Sequence, residues 1–160
     1  MSLDAVKAHF VNSLTWSRDA YIRDIEALTE AQFKDGVGEH ARKPIDFTFE
    51  VSYVNRRFAT RLRGDDPGPW PMDENQWMMA PGDFNSKEVA MMAIRESMDE
   101  LIEAFSVVPA EDLTKSIPLP NGETSALDLA SSCCTHNAYH DAQLNYVQSL
   151  SGDLTMHWRD

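Results

Sequence analysis

The stretch Ser125-Ala126-Leu127-Asp128-Leu129-Ala130-Ser131-Ser132-Cys133-Cys134-Thr135-His136-Asn137-Ala138-Tyr139-His140-Asp141-Ala142-Gln143-Leu144-Asn145-Tyr146-Val147 decides how the rest of the chain reads. Within it Leu129, Cys133, His136, His140, Leu144 and Val147 recur at three- and four-residue spacing, the period of one helical face. Ser125 followed by Asp128 is a helix-starting pair, and Gly152 closes the segment. His136 and His140 stand one turn apart, so both imidazoles leave the helix on the same side. A His-x-x-x-His pair is weak by itself. Its place in the middle of an apolar stripe strengthens it, because two desolvated imidazoles need partners and one metal ion serves both.

Working outward, the chain resolves into three more helical patterns. Val6, Phe10, Leu14, Tyr21, Ile25 and Leu28 line one face of a first helix, with Ser17 the polar member of the series. Thr29-Glu30-Ala31-Gln32 reads as a capping box that opens a further short turn before Gly36 and Gly38. Pro44 suits the first turn of the next helix, whose inward face is expected to run Phe47, Glu50, Val51, Val54, Phe58 and Leu62 before Gly64. Asn85 with Glu88 is the expected cap of a third, carrying Ala90, Ile94, Met98, Leu101 and Phe105, with Pro109 as its stop. A short extended segment, Ile117-Pro118-Leu119-Pro120, then leads into an Asn121-Gly122 turn.

Residues 64 to 85 hold Pro67, Pro69, Pro71 and Pro81 with Gly68 and Gly82, which excludes a regular helix or central strand. Because the segment also carries Trp70, Trp77, Met78 and Met79, it is expected to pack over the bundle mouth, either as a lid or binding wall or as a strap that merely covers the core. The economical architecture is all-α: a four-helix bundle with a long crossover between its second and third long helices, forming a single domain over residues 1–160.

Composition narrows the partners. The chain has 160 residues, 42% hydrophobic and 25% charged, enough for one domain with a real core. Twenty-six acidic residues against fourteen Lys and Arg leave a formal charge of −12, which disfavours nucleic acid and anionic membrane. Met1-Ser2-Leu3-Asp4 lacks a basic stretch followed by an apolar run, and no window approaches a spanning length, so a cytoplasmic protein is expected. The two cysteines, Cys133 and Cys134, are neighbours and are read as reduced thiols.

Glu50 poses on the second long helix the problem that the histidines pose on the last, a charged group inside an apolar stripe. Singly, each has a bland explanation: a His paired with a Glu, or Glu50 capping an Arg. Together, His136, His140 and Glu50 make a 2-His-1-carboxylate set suited to zinc, nickel or ferrous iron, with positions left for water or substrate. Cys133, one turn before His136, is either a thiolate ligand or a small buried apolar side chain. Ser17, Asn55, Tyr139 and Gln143 flank the site as possible supporting donors, Ser17 more simply bonding its own backbone. His9, His40 and His157 read as solvated.

The segment Thr135-His136-Asn137-Ala138-Tyr139-His140-Asp141-Ala142-Gln143-Leu144-Asn145-Tyr146 resembles the last-helix pattern of the DinB-like (damage-inducible) superfamily, two histidines four apart followed by Gln-Leu. Val54-Asn55-Arg56-Arg57-Phe58 and Arg61-Leu62-Arg63-Gly64 are also similar to family sequence. The resemblance implies a four-helix bundle, a bound divalent metal that is often zinc or nickel, and a homodimer. It also implies a metal-dependent hydrolase or thiol-dependent transferase acting on a small-molecule substrate, although many members have no assigned reaction. The family commonly supplies a third histidine ligand from the second helix, where this chain places Glu50, either preserving a site as His-His-Glu or marking a weakened one. A non-catalytic metal or small-ligand binding protein is the competing expectation.

Overall fold

Four hydroxyl side chains start four of the helices by the same device, each accepting from the backbone N–H three residues ahead: Ser2 from Ala5, Thr29 from Gln32, Ser86 from Val89 and Ser125 from Asp128. In the computed structural model, which describes residues 2–38, 40–73 and 76–159, these caps open α1 (Leu3–Ala27), α2 (Glu30–Asp35), α4 (Lys87–Val107) and α5 (Ala126–Leu150). The remaining helix, α3 (Pro44–Leu62), has no side-chain cap and begins instead with Pro44, whose missing N–H is no loss at that position. Met1 and residues 74 and 75 of the strap, which entered the sequence readings, lie outside the described residues.

The expected capping box at Thr29 is present in full, Gln32 returning its side chain to the Thr29 N–H. At α4 the cap is Ser86 rather than Asn85, whose amide donates to the Gly82 carbonyl instead. The extended segment becomes a two-stranded antiparallel hairpin, β1 (Ile117–Leu119) and β2 (Gly122–Thr124). Leu119 pairs with Gly122, so the turn sits at Pro120-Asn121, one residue earlier than expected, where proline's fixed φ favours the first turn position.

The class is all-α apart from this hairpin. α1 packs against α4 and α5, and α3 packs against the same two helices. Tyr21, Phe33, Phe47 and Phe105 are the core's largest fully enclosed side chains. On α4 every expected core position, from Ala90 to Phe105, is buried. On α3 the buried stripe is rotated from the expected one. Thr48, Val51, Ser52, Asn55 and Ala59 form its centre, while Val54, Phe58 and Leu62 are only half-buried. The physical reason is that α3 wedges between two neighbours: small and polar residues sit where the backbones approach, and the larger apolar ones spread to the edges.

The strap between α3 and α4 is tied down mainly by polar contacts. The Arg57 guanidinium donates to the carbonyls of Pro67, Gly68 and Pro69 at 3.1, 2.6 and 3.2 Å, and the Ala80 N–H donates to Asp46 at 2.9 Å. Met78 and Phe84 are buried, as expected of a covering segment, but Trp77 and Met79 are 66% and 71% exposed and Trp70 is 44% exposed. No helix among the described residues is long and apolar enough to cross a membrane.

Candidate metal centre

The packing of α3 against α5 brings Glu50 to the two histidines. Its Oε1 lies 3.6 Å from His136 Nε2 and 3.7 Å from His140 Nε2, and the ligand atoms of all three lie within 4.8 Å of one another. Both separations are too long for a hydrogen bond. They are close to the ligand-to-ligand edge of a tetrahedral site, about 3.3–3.6 Å for metal bonds of about 2.0–2.2 Å.

The hydrogen bonding of His140 sharpens this reading. Its Nδ1 lies 2.7 Å from Gln143 Oε1, one turn ahead on α5. An amide oxygen only accepts, so Nδ1 carries a proton, and Nε2 is the ring nitrogen turned toward the Glu50 carboxylate. At 3.7 Å the two atoms can share a cation, either a proton on Nε2 or a metal ion between them. Phe47, one turn before Glu50 on α3, stacks on the His140 ring at 5.4 Å and 15°, while the His136 ring meets it edge-on at 4.7 Å. His136 Nδ1 is buried without a hydrogen-bond partner. His140 is 2% exposed, Glu50 15% and His136 23%, so solvent reaches the centre along the His136 edge. The donor set, its spacing and the oriented imidazole therefore fit a divalent ion with three protein ligands and room for another.

The second oxygen of Glu50 is taken by Arg42, which precedes α3: Arg42 Nη2 donates to Glu50 Oε2 at 2.5 Å and to the Met78 carbonyl at 3.4 Å. Glu50 thus divides its oxygens, Oε1 to the histidines and Oε2 to the guanidinium. Burial raises its pKa, but the nearby imidazoles of His136 and His140 and then Arg42 outweigh burial and hold the carboxyl well below the usual range. The bland expectation of Glu50 capping an arginine is met at one oxygen only.

The other candidates disperse. Cys133 is buried, with its Sγ donating to Asn55 Oδ1 at 3.3 Å and lying 3.9 Å from Met98 Sδ. Burial, followed by the neighbouring Cys134, pushes its thiol pKa up, so it stays a neutral donor in the core, and the Glu-His-His cluster does not include it. Asn55 is accordingly a partner of Cys133. Gln143 is the orienting residue of His140, and Tyr139, 59% exposed, only touches the His140 ring edge at 4.9 Å. Ser17 lines a separate cavity of about 750 Å³ between α1 and α5, together with Trp16, Ala138, Asp141, Asn145 and Trp158. His9 and His40 are exposed as expected, but His157 is half-buried and bonded to Asp153 at 2.7 Å.

Arg42 and Phe47 carry the site's outer contacts. Phe47 was legible as core only, and Arg42 offered no periodic signal because it precedes the helix. A buried carboxyl pair also escaped sequence reading. Asp24 of α1, fully enclosed, accepts from Asn145 at 2.9 Å and from Gln148 at 3.1 Å, and faces Asp141. The signal available was Asp24 beside Ile25 and three residues from Tyr21, on the edge of the α1 stripe. Neither the known protein-family models nor the curated proteins contain a match to this chain.

Proposed function

We propose that this protein is a divalent-metal-binding four-helix bundle of the DinB-like kind, in which His136, His140 and Glu50 hold the ion. The observation that carries the proposal is the convergence of His136 Nε2, His140 Nε2 and Glu50 Oε1 at distances too long for hydrogen bonds and close to those between ligands of one ion. Zinc or nickel is the expected occupant, with ferrous iron also compatible with two imidazoles and a carboxylate.

The reading extends to a metal-dependent enzyme, a hydrolase or thiol-dependent transferase acting on a small molecule. A divalent cation supplies Lewis acidity at such a centre. The chain's own residues do the rest: Gln143 and Phe47 orient His140, Arg42 holds Glu50 to one ligating oxygen, and the strap touches the centre through Arg42, at the Met78 carbonyl and the Trp77 ring. Cys133 is committed to Asn55, which leaves a fourth position open and favours catalysis over a closed structural site. The non-catalytic alternative is favoured by the near-complete burial of His140.

Elemental analysis of untagged protein, after incubation with zinc, nickel or iron, tests the centre. About one equivalent is expected in the parent and none in a His136→Ala/His140→Ala double variant. An unloaded parent, or a double variant that loads equally well, overturns the reading. A homodimer belongs to the same proposal, supported by Tyr139, Tyr146 and Leu150 standing exposed on α5. Sedimentation velocity of the loaded protein is expected to give the dimer, and a monomer at all concentrations would refute that part alone.

A further inference from the structure

We infer that the ligand of this centre is an apolar carboxylate, its anionic head placed by Arg42 and its body lodged against the strap. The inference rests on the metal reading and adds the substrate class and the residue that selects it.

Charge is the first reason. Two neutral imidazoles and one carboxylate leave a divalent ion with one positive charge in excess, and Arg42 adds a second beside it. Arg42 and Glu50 are each only 15% exposed, so this excess lies largely out of water, where an unbalanced charge is costly. The neighbouring carboxylates have other contacts. Asp46 accepts from the Ala80 N–H, and Asp141 on α5 faces Asp24 of α1. The hydrogen bonds of Arg42 go to Glu50 and the Met78 carbonyl and to neither of these carboxylates, so an anionic ligand beside it would offset the charge.

Arg42 is also under-used. Its hydrogen bonds to Glu50 and to the Met78 carbonyl both leave from Nη2, while Nε is buried with no acceptor. A guanidinium presents its donors as a planar fork matched to a carboxylate, and one side of this fork is unsatisfied.

The apolar part follows from what Arg42 rests on. Its guanidinium lies over the Trp77 ring at 4.6 Å. Trp77 and Met78 in turn line a cavity of about 720 Å³ with Phe49, Tyr53 and Met79. That volume suits a small organic molecule, and its walls are mostly aromatic and thioether, with Pro71 and Gln76 the exceptions. Phe49 and Tyr53 flank Glu50 on α3, so cavity and centre share the helix, the stacked tryptophan and the Met78 backbone. A ligand with a carboxylate at one end and an apolar chain or ring at the other satisfies both regions at once.

Cobalt(II)-loaded protein makes this measurable without an enzymatic assay, because the visible spectrum of the ion responds to a new ligand. Titration with hexanoate is expected to give a saturable change, hexanamide none at the same concentrations, and acetate a weaker one. Arg42→Gln, with helicity checked by circular dichroism, is expected to weaken hexanoate by about tenfold or more while still taking up cobalt. Trp77→Ala, at an exposed strap position, is expected to weaken hexanoate several-fold and leave acetate unchanged. Failure of the parent to bind cobalt overturns the metal centre and this inference together. Cobalt uptake with equal responses to hexanoate and hexanamide, or with parental hexanoate affinity in Arg42→Gln, overturns the inference alone. If Arg42→Gln does not fold, Trp77→Ala decides, and parental hexanoate affinity in that variant is the refuting result.

Discussion

Glu50→Ala is expected to lower metal affinity by more than about a hundredfold and, in metal-free protein, to cost about 3 kcal/mol of stability. The two effects have different origins. The first is loss of a ligand: substitutions of groups that merely orient ligands typically cost about ten- to a hundredfold, so removing the ligand itself exceeds that range. The second is loss of the Arg42 partner, since the guanidinium, 15% exposed, is left without its carboxylate at 2.5 Å. Urea denaturation in the presence of a chelator isolates the second effect, and competition against a chromophoric chelator measures the first. Unchanged metal affinity would remove Glu50 from the ligand set and return it to a plain ion pair with Arg42. Glu50→Gln is the sharper probe of charge, since it keeps the shape and lone pair but not the anion that balances Arg42.

Asp141→Asn is expected to stabilise the metal-free protein at pH 8 and to flatten the alkaline side of its stability profile. Burial, the neighbouring Asp24 charge and a hydrogen bond to Asp24 push the Asp141 carboxyl up to about 8, with Arg23 opposing. Its ordinary value is 3.8. A group whose folded pKa is raised contributes most below its unfolded value, and the contribution is lost as pH climbs through the folded one. Stability should therefore decline between about pH 4 and 8, by no more than about 1.4 kcal/mol per pH unit for one proton. Glu50 works with the opposite sign. Its depressed pKa contributes stability above its ordinary value of 4.5 and loses it as pH falls below that. The parent profile thus has its maximum at about pH 4, and the asparagine variant keeps the acid limb while losing the alkaline one. Thermal melts from about pH 2 to 9 with chelator present check this. Parallel profiles in the two proteins would mean that the buried pair does not hold its proton.

The sequence by itself determined the helices and the histidine face. Caps such as Thr29-Gln32 and Ser125-Asp128 act across three residues, and the Leu129 to Val147 stripe needs only the helical period to place His136 beside His140. Such features are local, so no long-range contact has to be known. Asn85 lost the cap to Ser86 because neighbouring polar residues compete for the same N–H groups, and the winner depends on backbone entry angle.

Only the tertiary structure decided which side chains meet across helices. Glu50 and His136 are far apart in the chain, and their 3.6 Å approach depends on how α3 is rotated and shifted along α5. A step of one residue turns a helix by about 100° and moves it about 1.5 Å, enough to part a carboxylate from an imidazole, and that register is set by the summed fit of two packed faces. The same fit brought Asn55 and Ala59 to the buried centre of α3, sent Cys133 to Asn55 and away from the histidines, and closed Asp24 over Asp141. Arg42 was placed by the chain's path into α3 and by the ring of Trp77, contacts that no helical period encodes.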